Sequence, residues 1–229
     1  MLDTIEPFFH WLAQHDQNFA QSLYLFVERL PRAMSITVRV TLGSCLIAFV
    51  FGFLLAIAEL SANRLLAGLA GALRSIGQGI PLPPMVFLIY FTALSISPAS
   101  PVQAATAAIG LFTIPYAAAI FRGGIRSIPV GQVEVAQSLG MTWTTQMRRL
   151  TLPVVLRIVL PALGHLAIVT LLNSSFASVI GVTDITGMSR NIINAYFSTK
   201  LWLVTAAVYF LIAFPVSRLL NRIERRVRL

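Results

Sequence analysis

Chemistry needs a nucleophile beside a base, a set of metal ligands, or acid and base groups at a common depth. The reactive residues of this sequence are too few and too scattered for any of these. The 229 residues include three histidines, His10, His15 and His165, and one cysteine, Cys45. A zinc-type centre takes three or four such ligands from closely spaced positions, and this set does not supply them. His165 and Asp184 are expected at opposite ends of one helix, which separates the base from the acid of a hydrolase. No Gly-rich phosphate loop followed by Lys-Ser/Thr occurs, and a single cysteine forms no intrachain disulfide. What does stand out is a polar stretch, Arg122–Leu150, longer than a simple connection requires, and long ordered loops tend to be functional. Within it and just beyond runs GQVEVAQSLGMTWTTQMRRLTLP, with Glu134, Ala136, Gly140 and Met141, then Arg148, Leu150, Leu152 and Pro153. Small residues let a short helix approach a partner closely. Gly140 can end that helix in a turn other residues resist, and Pro153 can open the next helix.

The elements that position this stretch follow from where charge is absent. Hydrophobic residues make up 57% of the chain and charged residues 11%, against about 25% charged in a soluble domain. Uncharged runs of 19, 47, 26 and 17 residues lie between Arg39 and Glu59, Arg74 and Arg122, Arg157 and Asp184, and Lys200 and Arg218. A bilayer core of about 30 Å takes about 20 apolar residues. The long run breaks at Ser95–Val102 (SISPASPV), so the count is about five transmembrane helices, near 34–60, 70–95, 102–122, 152–181 and 201–220. The fold class is an all-α membrane protein. Pro81, Pro83 and Pro84 predict a kink or partial unwinding of the second helix, covered by protein or a watery cavity. Residues 1–33, with Phe8, Phe9, Trp11, Phe19, Tyr24 and Phe26, read as an interfacial N-terminal segment or an ordinary folded extension, without the pattern of a cleavable signal peptide. Residues 34–220 form one membrane domain, with a cytoplasmic loop at 122–152, and 221–229 a basic tail.

The net charge of +9 would suggest nucleic acid in a soluble protein; here its placement orients the chain. One side collects 12 basic residues, among them Arg64, Arg74, Arg122, Arg126, Arg148, Arg149 and Arg157. The other has Arg29, Arg32, Arg39, Arg190 and Lys200. The positive-inside bias places the richer side in the cytoplasm. Five spans then put the N-terminus outside and the C-terminus inside.

The spacing from Glu134 to Pro153 resembles the EAA loop of ABC importer permeases, with Val135 in place of the middle Ala. The resemblance covers most of the chain. GIPLPPMVFLIYF (79–91) is similar to the Gly-Thr-Pro-Leu segment of the polar-amino-acid permeases, with Ile80 for Thr. IFRGGIRSIPVGQVEVA (120–136), SFASVIGVTDI (175–185) and NRIERR (221–226) match the same group. The resemblance implies a type I (MetI-like) permease of the histidine, glutamine, arginine or glutamate type in the bacterial cytoplasmic membrane. Its partners would be two cytoplasmic ATPases, a second permease subunit (identical or a paralogue) and an external solute-binding protein, with membrane lipid around it and no nucleic acid. ATP and Mg would belong to the ATPase, leaving this chain without catalysis, metal or cofactor of its own. Glu134, Ala136, Gly140, Met141, Arg148 and Pro153 would dock the ATPase.

Two positions depart from the family pattern: Ala119 stands where Glu is usual, and Asn173 where Lys is usual. An uncompensated charge in the bilayer centre costs at least about 2.5–3.5 kcal/mol, so the missing acid and base are expected to form a pair in relatives. The polar candidates for a substrate path are Tyr116, Asn173, Ser174, Ser175 and Gln78, with Gln103 and His165 beside them. His165 is expected to be packed and Arg39 to snorkel. The alternatives are a permease for another small amino-acid-like solute, a secondary carrier, which would show coupling charges and a paired repeat, and a membrane enzyme.

Overall fold

Asp16 starts the first helix: its carboxylate accepts the Phe19 N–H at 3.0 Å, one of the donors a helix N-terminus leaves open. From there the computed structural model, which describes residues 16–96 and 100–227 except for the side chains of Val133 and 223–227, runs one unbroken helix, α1, from Gln17 to Glu59. An interfacial segment ending at 33 is therefore not a separate unit. Pro31 lies inside the helix without ending it, and residues 17–33 continue straight into the first span. Phe8, Phe9 and Trp11 lie outside the described residues. One face of α1 is small and buried, with Ala33, Thr37, Ser44, Ala48, Gly52 and Ala56, while Leu42, Leu46, Phe51 and Leu54 are exposed. Membrane helices associate through such small faces because lipid solvates the large apolar ones equally well.

The expected helix at 70–95 is two. Helix α2 (Arg64–Gly79) and helix α3 (Leu82–Ile96) meet at Ile80 and Pro81 with a bend of 105°. Pro83 and Pro84 fall in the first turn of α3, where a missing N–H costs nothing. The prolines thus begin a new helix instead of kinking an old one. Asn63 caps α2 by accepting from Leu65 and Leu66. Helix α4 (Pro101–Arg126) opens with a capping box between Ser100 and Gln103. Part of the expected break, residues 97–99, lies outside the described set.

Helix α5 (Val130–Ser138) and helix α6 (Trp143–Gln146) follow. A π-helical turn (Met147–Thr151) then leads into α7 (Leu152–Asn173), and a 3₁₀ segment (Ser174–Ile180) extends it. Helix α8 (Ile185–Tyr196), absent from the sequence expectations, precedes α9 (Leu201–Val227), which carries the expected tail residues 221–227 as helix. Four of these segments are long and apolar enough to cross a membrane; the bent α2–α3 pair makes up to five.

Among the described residues the core has three clusters. One joins Val40 of α1 to Val86 of α3, Ala104–Ile109 of α4 and Ala177. A second joins Phe26 and Ala33 to α8 and α9 through Ile185, Met188, Ile192 and Tyr209. The third joins Ala48 and Ala56 to Phe121 of α4 and Val155 and Val159 of α7. The first and third put α4 between α1 and both α3 and α7, with the helical hairpin at one end.

Candidate functional site

The stretch from Ser127 to Thr151 is a helical hairpin, not an open loop, and it begins later than expected because α4 carries 122–126 as helix. Its turn rests on Gly140, whose φ of +71° is left-handed. The Gly140 N–H donates to the Gln137 carbonyl at 2.9 Å and the Met141 N–H to the Ala136 carbonyl at 3.1 Å. This pair of bonds is a Schellman motif, which satisfies the open carbonyls of a helix end. Thr142 then caps α6, accepting from the Thr145 N–H. Pro153 does not open a new helix. It sits on the second position of α7, within helix continuous from Trp143. Its ring lacks a donor for the Arg149 carbonyl and crowds it; the backbone widens into the π turn, with the Leu152 N–H reaching the Met147 carbonyl.

The hairpin sorts the expected docking residues. Glu134, Gly140, Arg148 and Pro153 are exposed, and Met141 is half-buried. Ala136 is turned inward at 4% exposure, at the floor of the cleft along α5 and not on its outer face. Val130 and Val135 of α5 and Leu139 at its end, none of them among the expected docking residues, are exposed apolar groups. Met141, Val135, Leu139, Arg149 and Leu150 line a 450 Å³ cleft along it. A second groove of 570 Å³ separates α6 from the α1–α2 corner, between Trp143, Gln146 and Met147 and residues 54–62.

Next to this end lies an ion cluster the sequence reading missed. Glu59, with its side chain 4% exposed, receives Arg74 Nε at 2.7 Å and has Arg122 Nε at 3.2 Å. The second pair is close but misaligned: Arg122 Nε is buried without a hydrogen bond, so the interaction is coulombic. Three helices, α1, α2 and α4, converge on this one carboxylate. The signal in the sequence was an acid ending an apolar run, which charge counting had used only for topology.

The expected path residues do not form one cluster. Tyr116 is half-buried on α4 with its ring 5.4 Å from Phe112. Gln78 accepts from Arg74 at 3.1 Å. Ser174 is fully buried and donates to the Leu171 carbonyl. Ser175 donates to Leu172 and borders a 520 Å³ cavity with Thr186, Thr205 and Tyr209. Asn173 is half-buried, Gln103 serves the capping box, and His165 is exposed where a packed position was expected. Nor do Ala119 and Asn173 share a depth. Gly124 of α4 abuts Val155 and Val159 of α7 so closely that a Cβ would collide, fixing the antiparallel register. From that contact Ala119 lies about 8 Å along the axis and Asn173 about 24 Å, at 1.5 Å per residue. The offset of about 16 Å overturns the expected pairing of an acid and a base at these two positions.

A polar network at the opposite end was also missed. Asp184, fully buried, caps α8 by accepting the Gly187 N–H at 2.9 Å and faces the Tyr209 hydroxyl at 3.2 Å. Tyr209 also meets Thr186 at 3.0 Å, and the Ile185 N–H reaches Thr37 of α1. Asp184 lies between spanning segments, and burial pushes its carboxyl up to about 6 against the lowering effect of its hydrogen bonds. Among the described residues no group of three or more His, Cys, Asp or Glu lies together to hold a metal ion.

Comparison with known proteins agrees with this geometry. Residues 48–229 match the family of binding-protein-dependent transport system inner membrane components. The nopaline transport system permease protein NocM of Agrobacterium fabrum is 34% identical over 217 residues, 88% of this chain and 90% of that one. The glutamine transport system permease protein GlnP of Escherichia coli is 30% identical, covering 90% and 94%. The solved structure of an amino acid ABC transporter with histidines superposes with a TM-score of 0.79 at 29% identity, over 91% of this chain and 96% of that one. The methionine ABC transporter MetNI, with a TM-score of 0.74 at 20% identity, shares the fold. The chain therefore belongs to the binding-protein-dependent inner-membrane component family: it is a multi-pass permease subunit of the bacterial inner membrane, homologous to those of polar-amino-acid ABC importers.

Proposed function

We propose that this subunit carries a polar amino acid from an external binding protein into the cytoplasm by alternating access, driven by partner ATPases. The observation that carries the reading is the exposed α5 surface, with Glu134 on a helix ended by the left-handed Gly140. Such a short rigid helix fits a partner's groove and transmits motion as a body. Glu134, Gly140, Met141 and Arg148 meet the ATPase, while Ala136 and Pro153 shape the hairpin behind them. Two ATP-binding subunits, which hold the ATP and Mg, and a second permease subunit, identical or a paralogue, complete the assembly. The hairpin lies in the cytoplasm, with the N-terminus outside and the C-terminus inside, as the basic residues favour. The names of NocM and GlnP support a polar amino acid or its derivative as solute. Tyr116, Asn173 and Ser175 are the polar groups left to line the path.

The test is co-purification of an ATPase with the full chain. Glu134→Lys, on an exposed position, and Gly140→Trp should each lose that association or uncouple ATP hydrolysis from uptake, with membrane insertion unchanged. Full transport in both variants refutes the docking role.

A further inference from the structure

At the far end of α1 from the hairpin, a cavity of 720 Å³ opens between α1, the start of α4, the 181–183 turn and α8. Its charged lining is Glu28, Arg29 and Arg32, one turn of α1, and its neutral polar lining is Thr183 and Asn191. Neither arginine is within ion-pair distance of a carboxylate among the described residues, although Glu28 stands four positions before Arg32. Two uncommitted guanidiniums in one cavity are a strong attraction for an anion, because the planar fork of Arg matches a carboxylate with two parallel bonds. The wall opposite them includes Pro101 and Val102, the first turn of α4, and a helix N-terminus adds positive potential there. Glu28 supplies the complementary charge a short distance away. The volume is in the range that holds a small ligand.

We propose that this cavity is a binding site for a free α-amino acid or an amino-acid derivative with further carboxylates, with Arg29 and Arg32 holding carboxylate and Glu28 the amine. The site is separate from Tyr116 and Asn173, and deepens the importer reading by placing a solute-selective vestibule across the membrane from the hairpin. It rests on that reading for its orientation only.

The test uses the full chain in phosphatidylcholine nanodiscs, without ATPase, titrated by calorimetry with L-arginine, L-glutamine and nopaline. Agmatine, which keeps the guanidinium of arginine and lacks its carboxylate, is the control. At least one of the three should bind, and should bind about tenfold or more tightly than agmatine. The Arg29→Gln/Arg32→Gln double variant should weaken that binding at least tenfold, and Glu28→Gln should weaken it less. Arg39→Gln, on the same helix outside the cavity, should leave it unchanged. Absence of binding by all three, equal binding of agmatine, or equal weakening by Arg39→Gln overturns the site. So does loss of binding when 30% phosphatidylglycerol is included, since a lipid phosphate would then be the anion these arginines hold. Because no ATPase is present, failure here leaves the docking result standing, and a failed docking test leaves this one standing.

Discussion

Asp184 receives two hydrogen bonds and, among the described residues, no ion pair. Its carboxyl, raised by burial to about 6 from an ordinary 3.8, keeps in the folded state a proton that the unfolded chain releases. The sign follows: this group favours folding most below about pH 4, and that contribution falls as pH rises to 6, above which a constant penalty remains. Asp184→Asn keeps the acceptor for Gly187 and removes the charge. We expect its gain in thermal stability over the parent, in detergent, to be larger at pH 7.5 than at pH 4.5. An equal shift at both values would mean that the burial of charge at this site is not what sets its titration. The sequence marks Asp184 as the end of an uncharged run and as a good helix cap, but not its burial, because burial is a property of what packs around it, and Thr37 and Tyr209 come from 147 and 25 positions away in sequence.

Among the elements, the hairpin was the most legible and the bent pair the least. Glycine at 140 announces a left-handed turn by its chemistry, and the structure has one. A Cβ at Gly140 meets nothing within 4 Å, so Gly140→Ala brings backbone strain alone, about 1 kcal/mol. Amide hydrogen exchange around residues 139–142 should then speed up about fivefold, while Gly140→Asn, which tolerates this region, should change it little. No change with Ala would show that the two bonds to Gln137 and Ala136 do not set the local opening. By contrast, Pro81, Pro83 and Pro84 said that the backbone must depart from one helix, but not that it turns by 105°, which depends on what α3 packs against. Helix α8 was readable and was passed over: Asp184 is a good cap, and Ile185, Met188, Ile192 and Ile193 recur at helical spacing. Counting charge-free runs discards elements too short to span a membrane.

For the whole molecule, the register of α4 on α7 decides a question of charge. The family pattern that this sequence resembles implies an acid at the position of Ala119 and a base at that of Asn173, and a pair of the two is the expected arrangement in lipid. An offset of about 16 Å prevents it, and a second copy related by an axis along the membrane normal keeps the same difference in depth. The losses of function from Ala119→Glu and Asn173→Lys should therefore add in the double variant, measured as uptake by the reconstituted importer. Recovery in the double would show that the two helices slide past each other by several turns. Sequence alone identified both positions and could not give their depth, since a one-dimensional pattern carries no register between helices.

Helix α1 has 43 residues, about 64 Å of continuous helix in a hydrocarbon layer of about 30 Å. It lies along α4 with two equally tight contacts, Gly43 on Thr106 and Gly52 on Ala117, where a Cβ would come within 2.6 Å of the neighbouring methyl, and a helix held at two points does not pivot about either. One end borders the cavity with Arg29 and Arg32, the other the groove beside Trp143 and the carboxylate that gathers Arg74 and Arg122. Clamped along its length, α1 moves together with α4, so a shift at either end is carried to the other by both helices at once.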